Sequence, residues 1–151
     1  MSMTDGGVYD NLGVSPLLPG RSRQHTSHVY DLDYIVAVDA GPGRTAPRAP
    51  NFMLGRLKRS FEIAHTRNQD GSRARVHELA AAGHVKGFVY SYRMDDSRLP
   101  IPIADLVERG QVAAYPTNFA RMAPADLQAV AIRGEQLTRT LIEFYCPQLG
   151  T

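Results

Sequence analysis

Hydrophobic and polar positions along the 151-residue chain follow two periods. The run from Asp33 to Asp39 is short, apolar and β-branched, bounded by turn residues and without strict alternation. That pattern predicts a central strand buried on both faces. A second run, Val85 to Tyr92, sets Phe88 and Tyr90 on one face and Val89 on the other. Other segments keep the helical period. Met53, Leu57, Phe61 and Ala64 form one apolar stripe from Asn51, the expected N-cap, to about Gln69. Asp70-Gly71 is expected to break this helix, and a second piece from about Arg73 to Ala82 is closed by Gly83. The last helix is opened by Pro124, favoured by Asp126 at its positive end and stopped by Cys146-Pro147. Its stripe is Leu127, Val130, Ala131, Leu137, Leu141 and Phe144 or Tyr145. Gly134 interrupts it at a cost of about 1 kcal/mol relative to alanine, which close packing on a sheet would explain.

Between these elements, Pro16 opens a short helix that Pro19-Gly20 ends, and Arg21 to His28 reads as a polar loop. A Pro/Gly/Arg loop fills 42–50, and Asp95 to Pro102 is rich in turn residues. Ile103 to Arg109 predicts a short helix ended by Gly110, and Tyr115-Pro116 an extended segment.

Composition narrows the function classes. The length suits one domain with its own core. A net charge of +2 argues against a dedicated nucleic-acid binder. Cys146 is the single cysteine, so neither an intramolecular disulfide nor a Cys-based zinc site is expected. The N-terminal residues lack the regions of a signal peptide, and the longest apolar run, Tyr34 to Val38, is far too short to cross a bilayer. A cytoplasmic or peripheral-membrane location follows as the expectation. From Arg44 to Arg75 there are eight Arg/Lys and only two acids, Glu62 and Asp70. Such an excess is either a solvated face or an attraction to anionic lipid head groups.

Candidate chemistry begins at Asp5-Gly6-Gly7. The glycines can take positive φ and make a tight turn directly after the carboxylate, presenting Asp5 beside backbone N–H groups. Such a carboxylate suits a catalytic acid or base, or a metal ligand; it is also an ordinary turn. Asp39, in Asp39-Ala40-Gly41, falls at the C-terminal end of a strand, where functional groups gather in open α/β sheets. It either lines one crevice with Asp5 or caps its turn, the commoner role. His25, His28, Asp31 and Asp33 invite a metal reading, but no further spacing supports it, and none is expected to bind metal.

The run Asp5-Gly6-Gly7-Val8-Tyr9-Asp10-Asn11-Leu12-Gly13-Val14 resembles the Asp-Gly-Gly/Ala block of the patatin-like phospholipases, which are lipid acyl hydrolases. Asp33-Tyr34-Ile35-Val36-Ala37-Val38-Asp39-Ala40-Gly41 resembles the strand and turn that come next in that family. Tyr115-Pro116-Thr117-Asn118-Phe119 and Arg133-Gly134-Glu135-Gln136-Leu137-Thr138-Arg139 resemble the tail of many bacterial members. The resemblance implies an α/β fold, the C-terminal portion of a patatin-like domain over residues 1–151, with helices around a mainly parallel sheet. It also implies a Ser–Asp dyad in which Asp5 activates a serine without histidine, with Gly6 and Gly7 shaping its turn. The substrate would be a lipid ester, a phospholipid or acylglycerol, with no cofactor.

The family's serine lies in a G-x-S-x-G elbow upstream of the Asp block, and its oxyanion loop lies further upstream. Ser15, Ser60, Ser72 and Ser91 all lack the flanking glycines. Gly41-Pro42-Gly43 is short, and its proline removes a donor. The chain is therefore expected to be inactive alone, carrying one half of a dyad. Two other readings stand beside this one. The first is a non-catalytic remnant of the fold that sits on membranes or a partner. The second is a truncated gene product read from an internal methionine.

Overall fold

The computed structural model describes residues 10–40, 52–91, 93–116 and 120–150. They divide into two compact units. One takes the described residues of Met1–Ala37 and Arg44–Val89, the other those of Val38–Gly43 and Tyr90–Thr151.

The expected strands form as β1 (Tyr34–Val38) and β2 (Lys86–Tyr90), with helix α1 (Met53–Ala81) as the connection between them. They pair in parallel. The Lys86 N–H donates to the Asp33 carbonyl at one end of the ladder and the Asp39 N–H to the Tyr90 carbonyl at the other, each at 2.7 Å. A parallel pair requires such a crossover, and α1 supplies it. Helices with a small parallel sheet place the described residues in the α/β class.

β1 is not buried on both faces. Ile35 and Ala37 are buried while Val36 and Val38 are exposed. One face is covered by a core of Val14, Leu18, Val76 and Val85. On the other face Val36 and Val38 are 39% and 56% exposed, so the strand alternates. β2 alternates as its sequence predicts, with Phe88 and Tyr90 buried. Gly87 is required where the strands meet: a Cβ there would run into the Ile35 carbonyl oxygen.

α1 runs unbroken through Asp70-Gly71, where the sequence predicts a break. Glycine in a helix interior costs only about 1 kcal/mol. Here Asp70 is held in the helix by an ion pair to Arg73 at 3.1 Å, and Ser72 and Val76 bury the next turn. The N-cap position falls on Phe52, which makes no side-chain cap; the expected cap, Asn51, lies outside the described residues. Gly83 closes the helix as expected. At φ +75° it lets the His84 N–H return to the Leu79 carbonyl at 3.0 Å, satisfying an end carbonyl. Pro16 does open a short 3-10 turn, Ser15–Leu17, and Gly20 takes φ +84° after it.

In the second unit the short helix lies at α2 (Arg109–Val112), not at 103–109, and Gly110 is inside it. Asp105 takes φ +55°, and the backbone on both sides is committed elsewhere. The Gln136 amide donates to the Asp105 carbonyl at 2.8 Å and accepts the Val107 N–H at 3.0 Å. The last helix, α3 (Pro124–Tyr145), has the expected start and Asp126 in its first turn. Its buried face differs from the expected stripe. Leu137 and Leu141 are buried, but Leu127, Phe144 and Tyr145 are exposed, and Arg133 and Thr140 join the buried side. A Cβ on Gly134 would meet open space, so close packing is not what retains that glycine. No described helix is long and apolar enough to cross a membrane.

Candidate functional site

Asp5, Gly6 and Gly7 lie outside the described residues. The end of their block is described, and it is firmly held. Asp10 accepts the Ser15 N–H on Oδ2 at 2.7 Å and the Ser72 hydroxyl on Oδ1 at 3.3 Å, joining the block to α1. Val14 is buried in the core beside Leu18. The chain that follows Asp5-Gly6-Gly7 is thus pinned by one carboxylate and one apolar anchor. Sequence reasoning passed over Asp10. The available signal was its position ahead of Gly13 and Ser15, since a carboxylate before a turn accepts the N–H groups that the turn frees.

Asp39 stands where the sequence predicts, directly after β1. It is only 4% exposed, and its N–H extends the ladder to Tyr90. The backbone role is clear: the residue lengthens the sheet by one bond beyond the strand. Its side chain lines neither of the two recesses described next.

The larger recess, about 760 Å³, lies in the first unit. Asp10, Ser15, Arg21, His28 and Arg75 supply its polar lining, and Leu18 and Leu79 part of its apolar wall. The volume is within the usual range of small-molecule sites, roughly 300–1,000 Å³. Asp10 is already engaged by Ser15 and Ser72. The Arg21 guanidinium reaches the Ser15 carbonyl and Thr26 hydroxyl only at 3.5 and 3.4 Å. Two guanidinium groups, an imidazole and an apolar wall can accept a carboxylate or phosphate that carries a hydrocarbon part. The smaller recess, about 260 Å³, is lined by Asp33, Tyr34 and Lys86 among others. There the Lys86 ammonium sits 5.3 Å from the centre of the Tyr34 ring.

His25, His28, Asp31 and Asp33 do not converge. Among the described residues no group of three or more His, Cys, Asp or Glu side chains could hold a metal ion.

The tail block from Arg133 to Arg139 is a structural latch within the second unit. Arg133 is wholly buried, and its guanidinium donates to the Val107 carbonyl at 2.7 Å, the Met94 carbonyl at 2.8 Å and Asp96 Oδ1 at 2.6 Å. Gln136 holds the 105–107 backbone, Thr138 bonds the Tyr90 hydroxyl, and Glu135 pairs with Arg139. These side chains fasten the loops between β2 and α3. Cys146 is fully buried.

Compared with protein-family models, with curated proteins and with solved structures, the chain has no match.

Proposed function

We propose that this chain is the aspartate-bearing C-terminal part of a patatin-like serine lipid acyl hydrolase. The observation that carries the reading is the order of the blocks in the sequence: Asp5-Gly6-Gly7 and its continuation to Val14, then the run from Asp33 to Val38 followed by Asp39-Ala40-Gly41. An α/β chain with Asp39 directly after β1 and a helical crossover to a parallel partner supports it. So does a recess suited to an anion with an apolar body, close in sequence to the same block.

In the proposed chemistry, Asp5 takes the proton of a serine hydroxyl as that oxygen forms its bond to the ester carbonyl carbon. The carbon–oxygen bond to the alcohol then breaks, and the proton on Asp5 passes to the departing alkoxide. Water, deprotonated by the same carboxylate, then adds to the acyl carbon; the bond to the serine oxygen breaks, the proton on Asp5 returns to that oxygen, and the carboxylic acid is released. The serine and the oxyanion donors are not among the 151 residues, which contain no G-x-S-x-G. Neither a metal nor an organic cofactor enters.

Reading the coding DNA upstream of Met1 in all three forward frames tests this. A G-x-S-x-G elbow preceded by a Gly-rich loop, in frame or one frameshift away, is the expected result. Unrelated sequence there would withdraw the hydrolase reading.

A further inference from the structure

The first half of α1 carries an exposed apolar face. Met53 is 87% exposed, Leu54 74%, Leu57 69% and Phe61 51%, with Phe52 ahead of them at 65%. These are large side chains in consecutive turns, not scattered singles. The helix is anchored from its other end, since its buried residues are Ser72 and Val76.

The polar neighbours of this face say what it suits. At about 100° of rotation per residue, Met53, Leu54, Leu57, Phe61 and Ala64 share one arc of roughly 100°. Lys58 and His65 border it on one side, Ser60, Arg56 and Arg67 on the other. The imidazole of His65 stacks beside the Phe61 ring, with centroids 6.4 Å apart. Arg59, on the far side, is the cation that pairs closely with Glu62, at 3.4 Å, whereas Lys58 reaches Glu62 only at 4.0 Å. Among the described residues no ion pair holds Arg56 or Arg67. Both borders of the apolar arc are therefore cationic.

We propose that residues 52–67 form an interfacial helix that docks this chain on an anionic lipid bilayer. The apolar arc would enter the boundary between head groups and acyl chains. The long stems of Arg56, Lys58 and Arg67 would reach outward to lipid phosphates. A second copy of the chain suits the face less well, because it would set two cationic borders against each other. The proposal does not depend on Asp5 or on a hydrolase activity.

The test is flotation of the 151-residue chain with vesicles of phosphatidylcholine alone or with phosphatidylglycerol added. The chain has no tryptophan. Leu57→Trp therefore gives a single reporter at an exposed position, which does not disturb the core. The expected result is binding to the anionic vesicles that weakens with salt, with a blue shift in the emission of the introduced indole. Binding of Leu57→Glu should be about tenfold weaker or worse, at unchanged circular dichroism. Lys58→Glu should weaken binding to anionic vesicles without changing the fold. Absence of binding at low salt overturns the proposal. So does binding that Leu57→Glu leaves intact. Self-association that Leu57→Glu abolishes, with no vesicle binding, would assign the face to a second copy instead.

Discussion

Arg133 Nη2 and Asp96 Oδ1 lie 2.6 Å apart in opposite settings: the arginine side chain is fully buried, and the aspartate is 42% exposed. The guanidinium also holds the carbonyls of Met94 and Val107. Arg133→Met should therefore cost about 3 kcal/mol, because it strands two carbonyls as well as the carboxylate. Asp96→Asn keeps an acceptor near water and should cost about 1 kcal/mol. Urea unfolding of both variants measures this. Equal losses would mean that the ion pair, and not the carbonyl latch, is what matters.

Two glycines should respond in opposite directions to alanine. Gly87→Ala puts a methyl group into the Ile35 carbonyl and should lower stability by about 2 kcal/mol through forced strand separation. Gly134→Ala meets open space inside α3 and should raise stability by about 1 kcal/mol. Thermal melts of the two variants check both signs.

The Asp95 carboxylate accepts the Ser97 hydroxyl at 2.9 Å and the Ser97 N–H at 3.1 Å. Chiefly through the hydroxyl, these bonds hold its carboxyl below the ordinary aspartate value of 3.8. A depressed carboxyl favours the folded state when ionised. Its contribution is present above the ordinary value and is lost as pH falls through the lowered one. Ser97→Ala should move the Asp95 titration upward, toward 3.8, as followed by NMR of the carboxyl carbon. An unmoved titration would show that the hydroxyl is not the cause.

The strands and the last helix were readable because each rests on a local pattern. Tyr34 to Val38 is too apolar and β-branched for a loop, and Pro124 and Cys146-Pro147 punctuate α3 from both sides. Where the sequence misled, the deciding contacts were ones that local composition does not show. Asp70-Gly71 reads as a stop, but Val76 in the core and the Asp70–Arg73 pair keep α1 continuous. Residues 103–109 have helical composition, yet Gln136 takes the backbone at Asp105 and Val107. The stripe of Met53, Leu57 and Phe61 was visible as a period, but a period does not tell whether its face meets a core or solvent. Arg133 occupies a core-facing turn that the apolar period alone would not assign to a charge. Asp39 stands at its strand end as the sequence predicts but lines neither recess, whereas the anchoring role of Asp10, which lines the larger one, depends on Ser72, 62 residues away.

On the proposed reading, Asp5 is the proton-accepting partner of a serine that is not among these 151 residues. The most direct measurement joins the upstream coding segment to this chain and follows hydrolysis of a p-nitrophenyl acyl ester, with the unjoined chain and the Asp5→Ala variant alongside. Turnover is expected from the joined protein, none above background from the chain alone, and a loss of at least about a thousandfold on Asp5→Ala. Enzyme-like hydrolysis by the 151-residue chain, or turnover by the joined protein that Asp5→Ala leaves unchanged, would contradict it.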